Sequence, residues 1–145
     1  MKNKMNKIEN SSFKRLLGIW KTTGNVKSDP ENLKLTGIDS YEVILDGNYI
    51  LHKADVKMGN ERSETFEILK LDTSLDRVKM HYFDSKGEEG IMTGSITNNE
   101  FTIQGNNLKF EGIINDKNTL IIGKWYALSE NGNWNDFIDL QLEKS

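Results

Sequence analysis

The chain has 145 residues, no cysteine and a formal net charge of -3, with acidic and basic side chains interspersed along it. This length suits one domain with a substantial core, so we expect a single domain over residues 1–145. The lack of cysteine excludes disulfides, thiolate nucleophiles and cysteine-based metal sites, and the balanced charge gives no indication of nucleic-acid binding.

The N-terminal segment MKNKMNKIENSS is basic but contains no apolar run. It lacks the features of a signal peptide or a membrane anchor, and no stretch of the chain approaches the roughly 20 apolar residues of a membrane-spanning helix. We therefore expect a flexible tail over residues 1–10, no membrane span and, by default, a cytoplasmic location.

A short helix is predicted over residues 13–17, where Phe13, Leu16 and Leu17 form an apolar stripe with i, i+3, i+4 spacing. Ser11 or Ser12 can cap its N-terminus. Gly18 follows where a left-handed conformation is favoured. The helix is thus predicted to close one end of the fold.

The rest of the sequence consists of short strand-like segments separated by turns rich in glycine, asparagine and aspartate. Such a pattern predicts an all-β protein, a single up-and-down antiparallel barrel of roughly 8–10 strands. The longest irregular stretch, residues 25–38, is a candidate lid. A first strand surrounds Trp20, and the segments after it cover residues 40–45, 49–58, 64–72, 77–84, 91–97, 101–105, 108–114, 119–129 and 134–144.

Alternation along several strands indicates which side chains point inward. His52 falls on the apolar face of its strand, and Met80 and Tyr82 fall on the inner face of theirs. The segment ETFEILKLD is ambiguous because both of its faces carry apolar residues. Glu67 can therefore be a buried acid or a solvated one, and the two orientations remain open.

The triplet Gly18-Ile19-Trp20 at the start of the first strand, after a short helix, resembles the calycin superfamily, to which lipocalins and fatty-acid-binding proteins belong. A closer likeness is to bacterial lipocalin-like proteins of unknown function, through the segments LDGNYIL, LKLD, FDSKG and WYALSENGNW. The resemblance implies a cation packed over the tryptophan, either Lys124 or Lys144. It disfavours a haem function, because haem-binding relatives use a late histidine and this chain has none after His81.

Aromatic residues and methionines on the predicted inner faces are the best candidates for a ligand pocket, since such linings suit a small apolar ligand with a polar group. The opposite interpretation is that these side chains fill the barrel. His52 is similarly open to two interpretations, a ligand contact or a buried, hydrogen-bonded core residue. The predicted ligand-binding residues are His52, Met80, Tyr82, Met92, Phe110 and Trp125, with Phe101 as a further lining residue.

No catalytic motif occurs, so no catalytic residue, cofactor or metal is assigned. The sequence leaves the function undetermined and favours non-enzymatic binding of a small, largely apolar ligand by a monomer or homodimer. An alternative is an enzyme using His52 and Tyr82, with Glu67, for acid–base chemistry; it requires these side chains to converge within hydrogen-bond reach in a cavity. A third alternative is an interaction scaffold with a filled barrel.

Overall fold

The computed structural model describes residues 7–27 and 31–145. Within these ranges the chain forms two short 3-10 helices, Ile8–Asn10 and Ser12–Leu16, followed by ten β-strands. The strands are β1 (Gly18–Val26), β2 (Leu33–Ile44), β3 (Tyr49–Met58), β4 (Glu61–Leu71), β5 (Arg77–Asp84), β6 (Glu89–Thr97), β7 (Glu100–Gln104), β8 (Leu108–Ile114), β9 (Leu120–Leu128) and β10 (Trp134–Lys144).

Each strand pairs antiparallel with the next, and β1 pairs with β10 to close the barrel. This confirms the predicted all-β up-and-down barrel, with the strand number at the upper end of the predicted range. Side chains alternate along the strands between a buried inner face and an exposed outer face, as a sheet curled around one core requires. Among the described residues, no helix has the length and hydropathy needed to cross a membrane.

The largest departure from the predicted strands is at β1 and β2. β1 extends to Val26 and β2 already begins at Leu33, so most of the predicted irregular stretch 25–38 is paired strand. The connection that remains is residues 27–32, and residues 28–30 within it lie outside the described part. The lid prediction is therefore wrong for the residues that belong to β1 and β2.

The predicted helix is present but has 3-10 geometry. Ser11 caps it, because its hydroxyl accepts a hydrogen bond from the backbone N–H of Phe13. The three-residue period brings Phe13 and Leu16 to the same side, where both are fully buried, and leaves Leu17 half-buried. Gly18 follows with a φ of 130°, in the region that favours glycine.

The predicted flexible tail over residues 1–10 differs from the structure at its end. Residues 1–6 lie outside the described part. Ile8, however, is fully buried, and its backbone N–H donates to the carbonyl of Gly47 at 3.0 Å. An apolar side chain in the barrel end thus anchors the chain before residue 10.

The 3-10 segment closes one end of the barrel above the fully buried Trp20. The indole Nε1 of Trp20 donates to the carbonyl of Leu16 at 2.7 Å, and Lys144 Nζ lies 4.8 Å from its ring centroid. Of the two predicted cations, Lys144 is therefore the one over the tryptophan, while Lys124 pairs with Asp136. Because hairpin turns alternate between the two ends, the end of β1, the start of β2 and the β5–β6 turn lie at the other, open end.

Candidate functional site

A row of polar side chains crosses the inner wall from β1 to β4. Tyr41 on β2 lies directly opposite His52 on β3, and His52 lies directly opposite Glu67 on β4. Asp39 precedes Tyr41 by two residues on the same face, which puts it on the diagonal to His52. Thr22 on β1 extends the row to the next strand. The register of four consecutive strands thus assembles the cluster.

His52 is held between two carboxylates. Its Nε2 lies 2.7 Å from Asp39 Oδ1, and its Nδ1 lies 2.9 Å from Glu67 Oε1. Thr22 donates its hydroxyl to the second oxygen of Asp39. The Tyr41 ring stacks on the imidazole with the ring centroids 4.1 Å apart and the planes 9° from parallel. These contacts fix the ring in position and in plane.

The cluster is almost completely removed from solvent, with Asp39 at 7% and Glu67 at 4% relative exposure. Burial alone lowers the pKa of His52, but the hydrogen bonds to Asp39 and Glu67, together with their charges, raise it to about 9. The pKa of Tyr41 is raised well above its ordinary value by burial, then by the charges of Asp39 and Glu67. His52 is therefore an imidazolium near neutral pH.

The cluster forms part of the wall of a cavity of about 350 Å³ inside the barrel. Most of its lining is apolar or aromatic, and the 3-10 segment lies at the opposite end from its mouth. Asp84 and Glu88, at the β5–β6 turn, border the mouth. The volume lies within the range of small-molecule sites.

All the predicted ligand-binding side chains border this cavity, and so does Phe101. Met80, Phe101 and Phe110 are buried, whereas the others are partly accessible. Phe110 lies between two aromatic neighbours, with ring centroids 5.5 Å from Phe101 and 5.3 Å from Trp125. Their role in ligand binding stays a prediction. The residues concerned are His52, Met80, Tyr82, Met92, Phe110 and Trp125.

Glu67 points inward, which decides between the two orientations left open by the sequence. Phe66 beside it is 52% exposed on the outer wall. The alternation along β4 is ambiguous because its outer face also carries apolar residues. The buried carboxylate of Glu67 is stabilised by its hydrogen bond with His52 on the neighbouring strand.

Tyr82 does not join the cluster, although it lies directly opposite Glu67 on β5. Its ring instead leans over Gly90 on β6, where an added Cβ would lie 2.6 Å from the Tyr82 hydroxyl oxygen. Among the residues that the structure describes, no hydrogen bond links Tyr82 to His52 or Glu67. The predicted convergence therefore holds for His52 and Glu67 and not for Tyr82.

Three members of the cluster were missed from the sequence: Thr22, Asp39 and Tyr41. Asp39 directly follows residues 25–38, the stretch that the sequence predicts to be irregular. In the structure Gly37 permits close approach of β3, since an added Cβ would lie 2.3 Å from the carbonyl oxygen of Asp55. The inward alternation of Leu35, Gly37, Asp39 and Tyr41 was the available signal.

Two other arrangements do not compete with this site. A larger depression of about 610 Å³ lies on the outer wall around Gly24, but it is open to solvent and separate from the buried cluster. Among the described residues, no group of three or more histidine and acidic side chains is arranged to hold a metal ion. In the cluster the imidazole itself occupies the space between the carboxylates. The inner cavity is therefore the candidate site.

Two solved structures share the barrel. The crystal structure of Rv2717c from M. tuberculosis superimposes with a TM-score of 0.73 at 12% identity, over 92% of this chain and 95% of that chain. The structure of the S-type phycobiliprotein lyase CPES from Guillardia theta gives a TM-score of 0.62 at 10% identity, over 95% of this chain and 92% of that chain. At such low identities these similarities show the fold alone.

Sequence comparison gives a family and no characterised relative. No curated protein matches this sequence. A family model described as "protein of unknown function" matches residues 6–144, which contain both 3-10 helices and the whole barrel. The chain therefore belongs to the DUF1579 family of proteins of unknown function.

Proposed function

We propose that this protein binds a small, largely apolar ligand inside its barrel, without catalysing a reaction. The observation that carries the proposal is the cavity of about 350 Å³, enclosed by the barrel wall and accessible from the open end. Ligand sites of this kind combine an apolar wall with a few fixed polar groups. Here the aromatic side chains supply the wall and the Asp39–His52–Glu67 cluster supplies the polar groups.

Specific contacts follow from the lining. Phe110 and Trp125 offer flat surfaces for a ring or an alkyl chain. Met80 and Met92 have flexible thioether side chains that adapt to the shape of a ligand. His52 and Tyr82 border the same space. Tyr82 offers its hydroxyl as a polar contact, and His52 contributes through the two carboxylates bonded to its nitrogens.

An enzyme using His52 as acid or base remains the second candidate, and the 2.9 Å contact with Glu67 in a cavity favours it. Two features favour binding over catalysis. Both imidazole nitrogens already have carboxylate partners, so a substrate would have to displace one of them. Tyr82, the other proposed acid–base residue, leans onto Gly90. The filled-barrel scaffold receives less support, because the interior contains a cavity.

The proposal is tested with a variant that occupies the cavity. Ala54 lines it, so Ala54→Phe would place a ring in the ligand's space, whereas Lys53→Phe puts the same ring on the exposed outer wall of β3. We expect compounds from an apolar small-molecule panel to raise the melting temperature of the wild-type protein and of the K53F variant, and not that of A54F. Native mass spectrometry of the same mixtures measures binding directly. The proposal fails if no compound binds, or if A54F binds as well as the wild type.

Further expectations from the sequence stay proposals alongside this one. They are membership of the calycin superfamily, a single domain over residues 1–145, a cytoplasmic location, and a monomer or homodimer. The barrel with a short N-terminal closing segment supports the first of these. Size-exclusion chromatography with light scattering tests the oligomeric state.

A further inference from the structure

The charged side chains that line the cavity are nearly all acidic. Asp39 and Glu67 lie in the wall, and Asp84 and Glu88 lie at the mouth. Among the described lining residues His52 is the single basic side chain, and none is a lysine or arginine. The whole chain is close to balance, with 19 lysines and arginines against 22 acidic residues. The acidic lining is therefore a property of this cavity and not of the overall composition.

The geometry of the cluster fixes its charge. The contacts of 2.7 Å and 2.9 Å between the His52 nitrogens and the two carboxylates each require a proton between nitrogen and oxygen. An imidazole ring flanked by two carboxylates, with one proton in each contact, carries one net negative charge. This holds wherever each proton resides within its contact. The histidine therefore does not make the cavity wall positive.

An anionic ligand would find few donors at this wall. Both N–H groups of His52 point at carboxylates, and Tyr41 covers a face of the ring. The hydroxyl of Thr22 donates to Asp39. The donors left among the described lining residues are neutral, the hydroxyls of Tyr41, Thr65 and Tyr82 and the indole N–H of Trp125. None of them carries a charge to offset that of a carboxylate or phosphate group.

A cationic ligand, in contrast, would find an open acceptor. Glu67 is 4% exposed and lines the cavity, and its Oε1 is bonded to His52. No donor among the described residues reaches its second oxygen, Oε2. Oε2 is open to the cavity, so the donor of a bound ligand can take the place of water there. The faces of Phe110 and Trp125 add cation–π attraction.

We infer that the cavity selects small amphiphilic cations, an apolar or aromatic body with a primary ammonium group, and discriminates against fatty acids and other anions. The ammonium group donates to Glu67 Oε2, and the apolar body packs on the aromatic wall. In a site shielded from water such a charge interaction is several times stronger than in bulk solvent. The inference rests on the proposed function and adds the chemical class of the ligand.

The test compares three compounds of similar shape and different charge. They are phenethylamine, phenethyl alcohol and hydrocinnamate, measured by isothermal titration calorimetry at neutral pH. We expect phenethylamine to bind the wild-type protein at least about tenfold more tightly than phenethyl alcohol, and hydrocinnamate to bind most weakly. Added salt should weaken the binding of the amine and leave that of the alcohol nearly unchanged.

Variants separate the contribution of Glu67. Glu67→Gln removes the charge with little change in shape, and Glu64→Gln removes an exposed charge from the outer face of the same strand. We expect E67Q to lose the preference for the amine and E64Q to keep it. If E67Q does not fold, two other measurements provide the test: added salt with the wild-type protein, and the variant Glu88→Gln at the exposed mouth. Each should weaken the binding of phenethylamine and leave the binding of phenethyl alcohol unchanged.

The outcomes distinguish the two proposals. Equal affinities for amine and alcohol, or tightest binding of hydrocinnamate, overturn the charge preference and leave ligand binding intact. Retention of the full preference in E67Q overturns the role of Glu67 in it. If none of the three compounds binds and no panel compound distinguishes the wild type from A54F, the ligand-binding proposal fails and the charge preference with it.

Discussion

Raising the pH should destabilise this protein through a single side chain, His52. Its pKa rises from 6.5 to about 9 on folding, because the hydrogen bonds and charges of Asp39 and Glu67 outweigh the effect of burial. The folded state therefore binds this proton more tightly than the unfolded state. The resulting stabilisation is complete below pH 6.5 and is lost as the pH rises through about 9.

The magnitude follows from the rise in pKa. Each pH unit by which a pKa is raised corresponds to about 1.4 kcal/mol, so the rise from 6.5 to about 9 corresponds to about 3 kcal/mol of unfolding free energy. Since domains of this size are stabilised by only about 5–15 kcal/mol, the loss would be conspicuous. His52 is 14% exposed, so solvent screening reduces it little.

Urea unfolding followed by tryptophan fluorescence, across the pH range from below 6.5 to above 9, measures the effect. We expect the wild type and His81→Gln, which alters a half-exposed histidine on the outer wall, to lose about 3 kcal/mol over this range. His52→Gln should be less stable at the lower pH and lack this loss. Titration of the imidazole by NMR gives the pKa of His52 independently of any variant. A flat wild-type profile, or an NMR pKa at or below 6.5, would refute the reasoning.

Three further predictions concern the barrel itself, each measured as the free energy of unfolding in urea. Trp20→Ala should lower this free energy by about 3–5 kcal/mol, because the substitution empties a fully buried aromatic site. The control Ile19→Ala on the outer wall should change it by under about 1 kcal/mol. A small effect of W20A would exclude a core role for the indole. Arg15→Ala should lower the free energy of unfolding by about 2 kcal/mol, since the Arg15 guanidinium donates to oxygens in the β6–β7 and β8–β9 turns. Lys14 is exposed, so Lys14→Ala serves as the control. Gly24→Ala should lower the free energy of unfolding by about 3 kcal/mol or more, because the new Cβ would lie 2.1 Å from a backbone carbonyl oxygen of β10. Wild-type stability in this variant would contradict the tight contact.

Much of the barrel can be predicted from local signals. The bounds of β3, β5, β8 and β10 agree with the sequence prediction because each is an alternating segment between strong turn residues. The start of β2 departs most from the prediction. Its inner face carries Gly37 and Asp39 where a strand usually carries apolar side chains, so alternation is hidden at the residues that matter for the site.

The site was predicted less completely, for a physical reason. His52 and the aromatic lining could be assigned an inward direction from alternation within their own strands. The partners of His52 depend on the register between strands, which places Glu67 directly opposite it and Asp39 on the diagonal. A shift of one residue would turn Glu67 toward solvent, and nothing within its own strand fixes that register.

The seam between β1 and β10 has a consequence for how the barrel forms during synthesis. All other pairings join neighbouring hairpin strands, which need only short loops to close, whereas this pairing joins the first strand to the last. Until β10 emerges from the ribosome, β1 and β9 each present an open edge, and the apolar interior faces water. We therefore expect the nascent chain to be most vulnerable to aggregation just before its final hairpin, and the last strand to act as the closing step of folding.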